Sequence, residues 1–130
     1  MALSIISQSI SFTLAGLYTV AGQAHFTDKF TPEFYQKIEQ MTRKSYVAFE
    51  VFGLPYNQTK MILGGLDLLA AYYLWQPKRR SVGLSLALIG FGGGLYSQWV
   101  VPNGEIGEVS IMFSMAVVGF TCDLFSKRLQ

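Results

Sequence analysis

From Ile5 to His25 the chain reads IISQSISFTLAGLYTVAGQAH, and no acidic or basic side chain occurs in this run before its final histidine. About 20 residues of α-helix, at ~1.5 Å per residue, cross the ~30 Å hydrocarbon core of a bilayer. Small and polar side chains recur at helical spacing on one face of this run, at Ser11, Tyr18 and Gly22. The run therefore predicts a membrane span with a polar face toward other helices and an apolar face toward lipid.

The composition also favours a membrane protein. The chain has 130 residues, which predicts a single domain, and it is 51% hydrophobic but only 14% charged. A soluble domain carries roughly 25% charged residues and spreads them over its surface. Here the charges are clustered, and no basic run is interleaved with aromatic residues. The lipid bilayer is thus the predicted partner, and nucleic-acid binding is not expected.

Three further apolar runs follow the first, separated by clusters of charge. The predicted fold is all-α: an integral membrane four-helix bundle in one domain, residues 1–130, with spans at about 5–25, 61–75, 82–101 and 109–125. No basic residue precedes the first run, as a signal peptide would require, so we expect this span to be retained. The connections between the last three spans are short, which predicts antiparallel neighbours. One of them is the predicted turn Pro102-Asn103-Gly104.

The long connector between the first two spans contains a helix signal of its own. Thr31-Pro32-Glu33 offers an N-cap, a proline at the first helical position and an acid in the first turn. Apolar residues then recur at helical spacing, at Phe34, Ile38 and Met41, followed by Ser45. The pattern predicts an amphipathic helix on the membrane surface or across the end of the bundle. An exposed loop helix is the alternative.

The basic residues predict the orientation. Lys78, Arg79 and Arg80 follow the second span, and Lys127 and Arg128 follow the fourth. The positive-inside rule places these residues in the cytosol. The protein is therefore predicted to be multi-pass, with both the N- and C-termini cytosolic.

Four polar residues lie within the apolar spans, where such groups are costly and usually face the bundle interior: His25, Asp67, Gln98 and Ser114. In the predicted topology all four fall in the non-cytosolic half of the membrane. Tyr18, Tyr72 and Trp99 are aromatic candidates for the wall of the same pocket. The third span adds the glycine pair Gly90 and Gly94, a spacing that lets helices approach closely in lipid.

Two interpretations of this polar cluster remain open. His25 and Asp67 are catalytic candidates, because an imidazole and a carboxyl group can do acid–base work, and Tyr18, Gln98, Ser114, Tyr72 and Trp99 are candidates for ligand binding. Alternatively, Asp67 forms a hydrogen bond or ion pair with His25, Gln98 or Lys60, and this contact only stabilises the packing of the helices. One histidine and one aspartate cannot fill a coordination shell, and Cys122 is the single cysteine, so no metal site is predicted. No cofactor is predicted either.

Short motifs in the first two spans resemble those of the DoxX-like superfamily of small four-helix membrane proteins. The first span contains Gly16-Leu17-Tyr18 and ends Ala21-Gly22-Gln23-Ala24-His25-Phe26, and the second contains Gly64-Gly65-Leu66-Asp67. His25 and Asp67 stand where that family more commonly has a lysine and a glutamate. The resemblance implies a protonatable pair between the first two helices.

Within that superfamily the segment Tyr35 to Val47, Gln98 and Thr121-Cys122 are similar to the nicotinic receptor chaperone branch. The long charged tail of that branch is absent from this sequence. What the superfamily implies about activity is heterogeneous, from receptor assembly to association with membrane oxidoreductases.

Three functional hypotheses follow. The first is an accessory or assembly factor that binds a membrane-protein partner, a second copy of itself or a small lipophilic ligand. The second is a membrane-embedded enzyme, of isomerase or cyclase type, that acts on an apolar substrate, such as one from a biosynthetic route, with His25 and Asp67 as acid and base. The third is a quinone-linked electron-transfer subunit, against which the lack of haem-type histidine pairs counts.

Overall fold

The structure is a computed structural model that describes residues 2–100 and 106–129, apart from the side chains of Ser45 and Phe49. Within these ranges the regular structure is entirely helical, which confirms the predicted all-α class. The α-helices are α1 (Ala2–Ala24), α2 (Pro32–Phe49), α3 (Tyr56–Leu74), α4 (Arg80–Val100) and α5 (Ile106–Arg128). Short turns of 3-10 helix, Glu50–Phe52 and Pro77–Arg79, precede α3 and α4.

The predicted spans fall almost wholly within α1, α3, α4 and α5. Helix α3 begins five residues before its predicted span, because it starts after the extended Pro55 and its first turn is polar. Within the described residues, α1 and α5 are the helices long and apolar enough to cross a membrane. The predicted turn Pro102-Asn103-Gly104 and Val101, the last residue of the third predicted span, lie outside the described residues.

The four long helices pack around a core of small and aliphatic side chains. Leu14, Leu74, Leu84, Ala87 and Ala116 are almost completely buried there. Near the middle of α1, Ser11 Oγ donates to the carbonyl of Leu74 at the end of α3 over 2.8 Å. Further along α1, Gly22 contacts Leu68, which lies earlier in α3. Helices α1 and α3 are therefore antiparallel.

Glycines set the closest helix contacts. A Cβ atom at Gly22 would lie 2.6 Å from the Leu68 side chain, and one at Gly83 would lie 2.7 Å from the Leu74 backbone nitrogen. A Cβ at Gly94 would instead meet Val109 at 3.7 Å, an ordinary contact. The close helix approach predicted for the pair Gly90 and Gly94 is therefore found at Gly90, where a Cβ atom would lie 2.8 Å from the Tyr18 hydroxyl oxygen on α1, but not at Gly94.

Helix α2 lies across the bundle end that contains the end of α1 and the start of α3. Pro32 occupies its first turn as predicted, but the Thr31 side chain makes no cap hydrogen bond. Thr31 Oγ1 instead accepts a hydrogen bond from Gln23 Nε2 over 2.5 Å. The predicted capping hydrogen bond from the Thr31 side chain is therefore wrong. The Thr31 hydroxyl bonds to Gln23 near the end of α1, and this contact joins α1 to the start of α2.

At the opposite end of the bundle, a buried polar cluster joins three helices. Arg80 and Asp123 are 8% and 4% exposed, and Arg80 Nη1 donates to Ser7 Oγ over 3.0 Å. The Asp123 carboxylate lies 3.9 Å from Arg80 Nη1 and 3.2 Å from Lys127 Nζ, and it accepts a hydrogen bond from Ser81 Oγ. Arg80, predicted only as one of the basic residues that set orientation, is therefore also an interior contact between α1, α4 and α5.

We expect Asp123→Ala to lower the unfolding temperature clearly, because it leaves Arg80 buried without its carboxylate. Removing one partner of a buried ion pair costs about 3–5 kcal/mol. Thermal unfolding in a mild detergent, followed by far-ultraviolet circular dichroism, measures the effect. Asp28→Ala is the control, since Asp28 is exposed between α1 and α2. Equal unfolding temperatures for the two variants would rule out a stabilising role for the cluster.

Candidate functional site

Two adjoining cavities lie beneath α2, at the end of the bundle opposite the Arg80 cluster. The first, here called the inner chamber, has a volume of about 220 Å³ and lies between α1, α2, α4 and α5. The second, the outer groove, has a volume of about 360 Å³ and lies mainly between α3 and α4. Both are walled by Ile38, Met41, Asp67, Gly90, Gly94 and Val109. Asp67 is the one acidic residue that contributes to both walls.

His25 and Asp67 form a pair at this junction. His25 Nε2 lies 3.3 Å from Asp67 Oδ2. The His25 side chain is 6% exposed and that of Asp67 is 22% exposed. Asp67 lines both cavities, whereas His25 lines the outer groove and not the inner chamber. His25 Nδ1 is buried and has no hydrogen-bond partner among the described residues. A neutral imidazole that donates through Nε2 fits this arrangement, because its Nδ1 then carries no proton.

A glycine allows this pair to form. His25 follows the last turn of α1, where its backbone nitrogen donates to the Ala21 and Gly22 carbonyls. Its Cβ would lie only 2.7 Å from a Cβ atom at Gly64 on α3. Because Gly64 has no side chain, the end of α1 can approach α3 closely at this point. Asp67 lies one turn further along α3, within reach of His25.

Tyr18 and Gln98 provide the other polar groups of the cavity walls. Tyr18 is 5% exposed, lines the inner chamber, and donates a long hydrogen bond of 3.4 Å from its hydroxyl to the Ala87 carbonyl. Gln98 is 2% exposed, lines the outer groove, and donates from Nε2 to the Met41 carbonyl over 3.2 Å. Gln98 thus ties α4 to α2 above the cavities.

Helix α2 closes the end of the site. Lys37 Nζ lies 2.5 Å from Glu108 Oε2 on α5, and both residues line the inner chamber. These side chains are 41% and 60% exposed, and exposed ion pairs are worth only about 0–1 kcal/mol. The position of α2 therefore depends mainly on its apolar face, from which Phe34, Ile38 and Met41 form the cavity roof.

Three of the predicted ligand-binding residues lie elsewhere. Tyr72 is 57% exposed and contacts the ring of Tyr73, outside the cavities. Trp99 is 72% exposed, in a surface groove between α4 and α5. Ser114 is exposed, and its hydroxyl donates to the Ser110 carbonyl within its own helix. The structure therefore brings together His25, Asp67, Tyr18 and Gln98, but not these three.

The sequence interpretation missed the contribution of α2 and of the glycines. Its apolar repeat predicted a buried face for α2, but the repeat does not reveal that the face covers a cavity rather than filling it. Gly90 and Gly94 line both cavities, and Gly93 lines the outer groove. Their spacing was interpreted as a helix contact. The signal available was their number, since four of the five residues from 90 to 94 are glycines, and three of these, Gly90, Gly93 and Gly94, lie on one side of α4.

The site can exchange a proton and bind one polar group within apolar walls. Asp67 presents a carboxylate to both cavities, and His25 fixes its orientation. Within residues 2–100 and 106–129, no three histidine, cysteine, aspartate or glutamate side chains group as metal ligands would. The Asp67 carboxyl group, with its His25 partner, can do acid–base chemistry.

The chain is similar to the cyclic ether formation enzyme xenC of Xenoacremonium sinensis. The two sequences are 29% identical over 109 residues, which cover 83% of this chain and 89% of that protein. No family model matches the chain, and no solved structure matches it.

We expect Gly64→Ala to separate His25 from Asp67 and Gly65→Ala to leave the pair intact. A Cβ at position 64 would lie 2.7 Å from His25 Cβ, whereas one at position 65 would have no neighbour within 4 Å. Both changes improve helix propensity by about 1 kcal/mol, so only Gly64→Ala should destabilise, by about 1–3 kcal/mol of overpacking. His25 is the single histidine of the chain, so the nuclear magnetic resonance signal of isotope-labelled histidine reports on this pair alone. Identical imidazole signals in the two variants would contradict the contact.

Proposed function

We propose that this protein is a multi-pass membrane enzyme that closes a ring in an apolar substrate, with Asp67 as the group that accepts a proton. The observation that carries the proposal is the His25–Asp67 pair at the junction of two apolar cavities. A carboxylate that only locked helices together would have its oxygens enclosed by protein groups. The Asp67 side chain is instead 22% exposed, toward space large enough for a ligand.

The surface of the long helices supports a location in the membrane. Large apolar side chains cover their outer faces: Ile5, Leu66, Ile89, Ile111 and Val118 are 59%, 51%, 72%, 61% and 48% exposed. Such a surface is unfavourable in water and favourable in lipid. In this proposal α1, α3, α4 and α5 span the bilayer and α2 lies at its surface. The cytosolic location of both termini remains a prediction from the basic residues.

The similarity to a cyclic ether formation enzyme supports ring closure as the reaction. To form a cyclic ether, a hydroxyl oxygen must bond to a carbon of the same molecule and lose its proton. In our proposal Asp67 accepts this proton while the new carbon–oxygen bond forms. The bond that breaks joins the attacked carbon to another oxygen, and that oxygen takes the proton back from Asp67. The proton taken from the attacking hydroxyl thus ends on the leaving oxygen, no electrons are gained or lost, and the carboxyl group returns to its starting state.

The other residues position the substrate and exclude water. His25 holds the Asp67 carboxylate through Nε2 and acts as its positioning partner. The Tyr18 hydroxyl lies in the wall of the inner chamber, where it can exchange its long hydrogen bond to the Ala87 carbonyl for one to a substrate oxygen. Apolar side chains form most of the remaining wall: Leu17, Phe34, Ile38, Phe91 and Met112. Such walls bind a hydrocarbon skeleton and keep water from competing with the intramolecular hydroxyl.

The accessory hypothesis shares part of this argument, because the same cavities can hold a lipophile without chemistry. The DoxX-like resemblance, a membrane-protein partner and a homo-oligomer remain predictions. The relative favours the enzyme, since its name describes a ring-forming reaction.

We expect Asp67→Asn to reduce turnover by about 10²–10⁴-fold, the usual contribution of a general acid–base group. When this variant replaces the natural protein in its own host, an apolar hydroxyl compound should accumulate. Purified wild-type protein in phospholipid vesicles should convert that compound into a ring-closed product. Asp28→Asn is the control for the loss of one carboxylate elsewhere. An Asp67→Asn variant with wild-type turnover would disprove the catalytic role.

Native mass spectrometry separates the enzyme from a binder. A lipophile that copurifies with both wild-type protein and Asp67→Asn, and that neither converts, would support a carrier or accessory function instead.

A further inference from the structure

The outer groove opens on the side of the bundle, between α3 and α4. Its rim is formed by Leu66 of α3 and Ile89 of α4, which are 51% and 72% exposed. These are the apolar outer faces that the proposed function assigns to lipid. From this rim the groove extends inward to Asp67 and His25.

Gly93 keeps this opening free. It is exposed, lines the outer groove, and a Cβ atom at this position would have no neighbour within 4 Å. Gly90 and Gly94, one turn apart, line both the groove and the inner chamber. Between the side chains of Ile89 and Ser97, the side of α4 that faces the groove is therefore backbone, which leaves room for a ligand between the helices.

The end of the bundle, in contrast, is covered. Helix α2 forms the roof, the Lys37–Glu108 ion pair joins it to α5, and Gln98 joins it to α4. Lys60 also donates to Tyr35 on α2 over 3.2 Å, which ties α3 to the roof. These contacts lie between the aqueous end of the bundle and the cavities, whereas the outer groove opens laterally between Leu66 and Ile89.

We propose that the substrate enters sideways from the bilayer, through the outer groove past Gly93, and that its apolar skeleton extends into the inner chamber while its polar centre lies at Asp67. This inference rests on the proposed function for the identity of the reacting group. The two cavities together lie within the ~300–1,000 Å³ range of small-molecule sites. The substrate class is thus an elongated, mostly hydrocarbon molecule with an oxygen function away from its ends, and Gly93 limits which skeletons pass.

A photoreactive lipid-soluble alcohol tests this route. Purified protein in phosphatidylcholine vesicles is irradiated with a hexadecanol analogue that bears a diazirine at its chain end, and labelled residues are identified by mass spectrometry. In the wild-type protein, labels are expected on residues that line only the inner chamber, Leu17 and Met112. Labels on the lipid-facing Ile111 and Val118 provide the internal standard for probe in the bilayer.

Gly93→Leu fills the groove and should reduce inner-chamber labelling about tenfold, the equivalent of about 1.4 kcal/mol in occupancy. Gly65→Leu is the matched control, because Gly65 is also an exposed helical glycine with no neighbour within 4 Å but lies outside the cavities. Leu66→Trp narrows the same opening from α3 and keeps the test valid if Gly93→Leu does not fold. Its own control is Leu69→Trp, at a residue that is 43% exposed and lies outside both cavities.

Wild-type inner-chamber labelling in both Gly93→Leu and Leu66→Trp would overturn lateral access. Reduced labelling in both, with unchanged labels on Ile111 and Val118, would support it. Asp67→Asn separates the two proposals: if it keeps full turnover while the blocking variants lose labelling, the acid–base function fails and the access route stands. If Asp67→Asn loses turnover but the blocking variants label normally, the reverse holds.

Discussion

The contact between the end of α1 and the first half of α3 determines where the polar chemistry of this molecule lies. A carboxylate in an apolar interior is costly unless a donor accompanies it. Asp67 obtains its donor from another helix, and only because Gly64 lets the His25 backbone approach closely. The same contact places Asp67 at the junction of the two cavities and His25 in the wall of the outer groove. One missing side chain on α3 therefore sets the orientation of the candidate acid–base group, and α2 then covers the space in front of it.

The buried carboxyl groups at the two ends of the bundle have different surroundings. At one end Asp123 is surrounded by Arg80, Ser81 and Lys127, and its side chain is 5% exposed. At the other end Asp67 has one imidazole partner and an exposed edge that faces a cavity. A fully surrounded carboxylate contributes to structure, because no position remains for a substrate. The contrast within one molecule is a reason to assign function to the Asp67 end and stability to the Asp123 end.

The sequence predicted the depth of the polar residues better than the direction they face. Span lengths and charge clusters indicated the helices, and the unusual polar residues indicated His25, Asp67 and Gln98. Adjacent residues on a helix point about 100° apart, so Gln98 and Trp99 cannot both face the same cavity. Ser114 is two residues, or about 200°, past the cavity-lining Met112. Depth follows from counting along the chain, whereas direction depends on how each helix is rotated against its neighbours, and the short periodic patterns here do not fix that rotation.

The two cavities beside Asp67 also favour a function in ligand binding. The inner chamber, about 220 Å³, and the outer groove, about 360 Å³, leave the side chains in their walls without packing partners on one side, and this forfeits dispersion contacts. Larger side chains at Gly93 or Gly94 would occupy part of the cavities, since a Cβ atom has no neighbour within 4 Å at Gly93 and only an ordinary contact at Gly94. If the contact between His25 and Asp67 served only to stabilise helix packing, such side chains would increase the stability of the bundle. The volume is better explained as the binding space of an apolar ligand, which recovers the lost contacts when it binds and brings its polar group to the carboxylate.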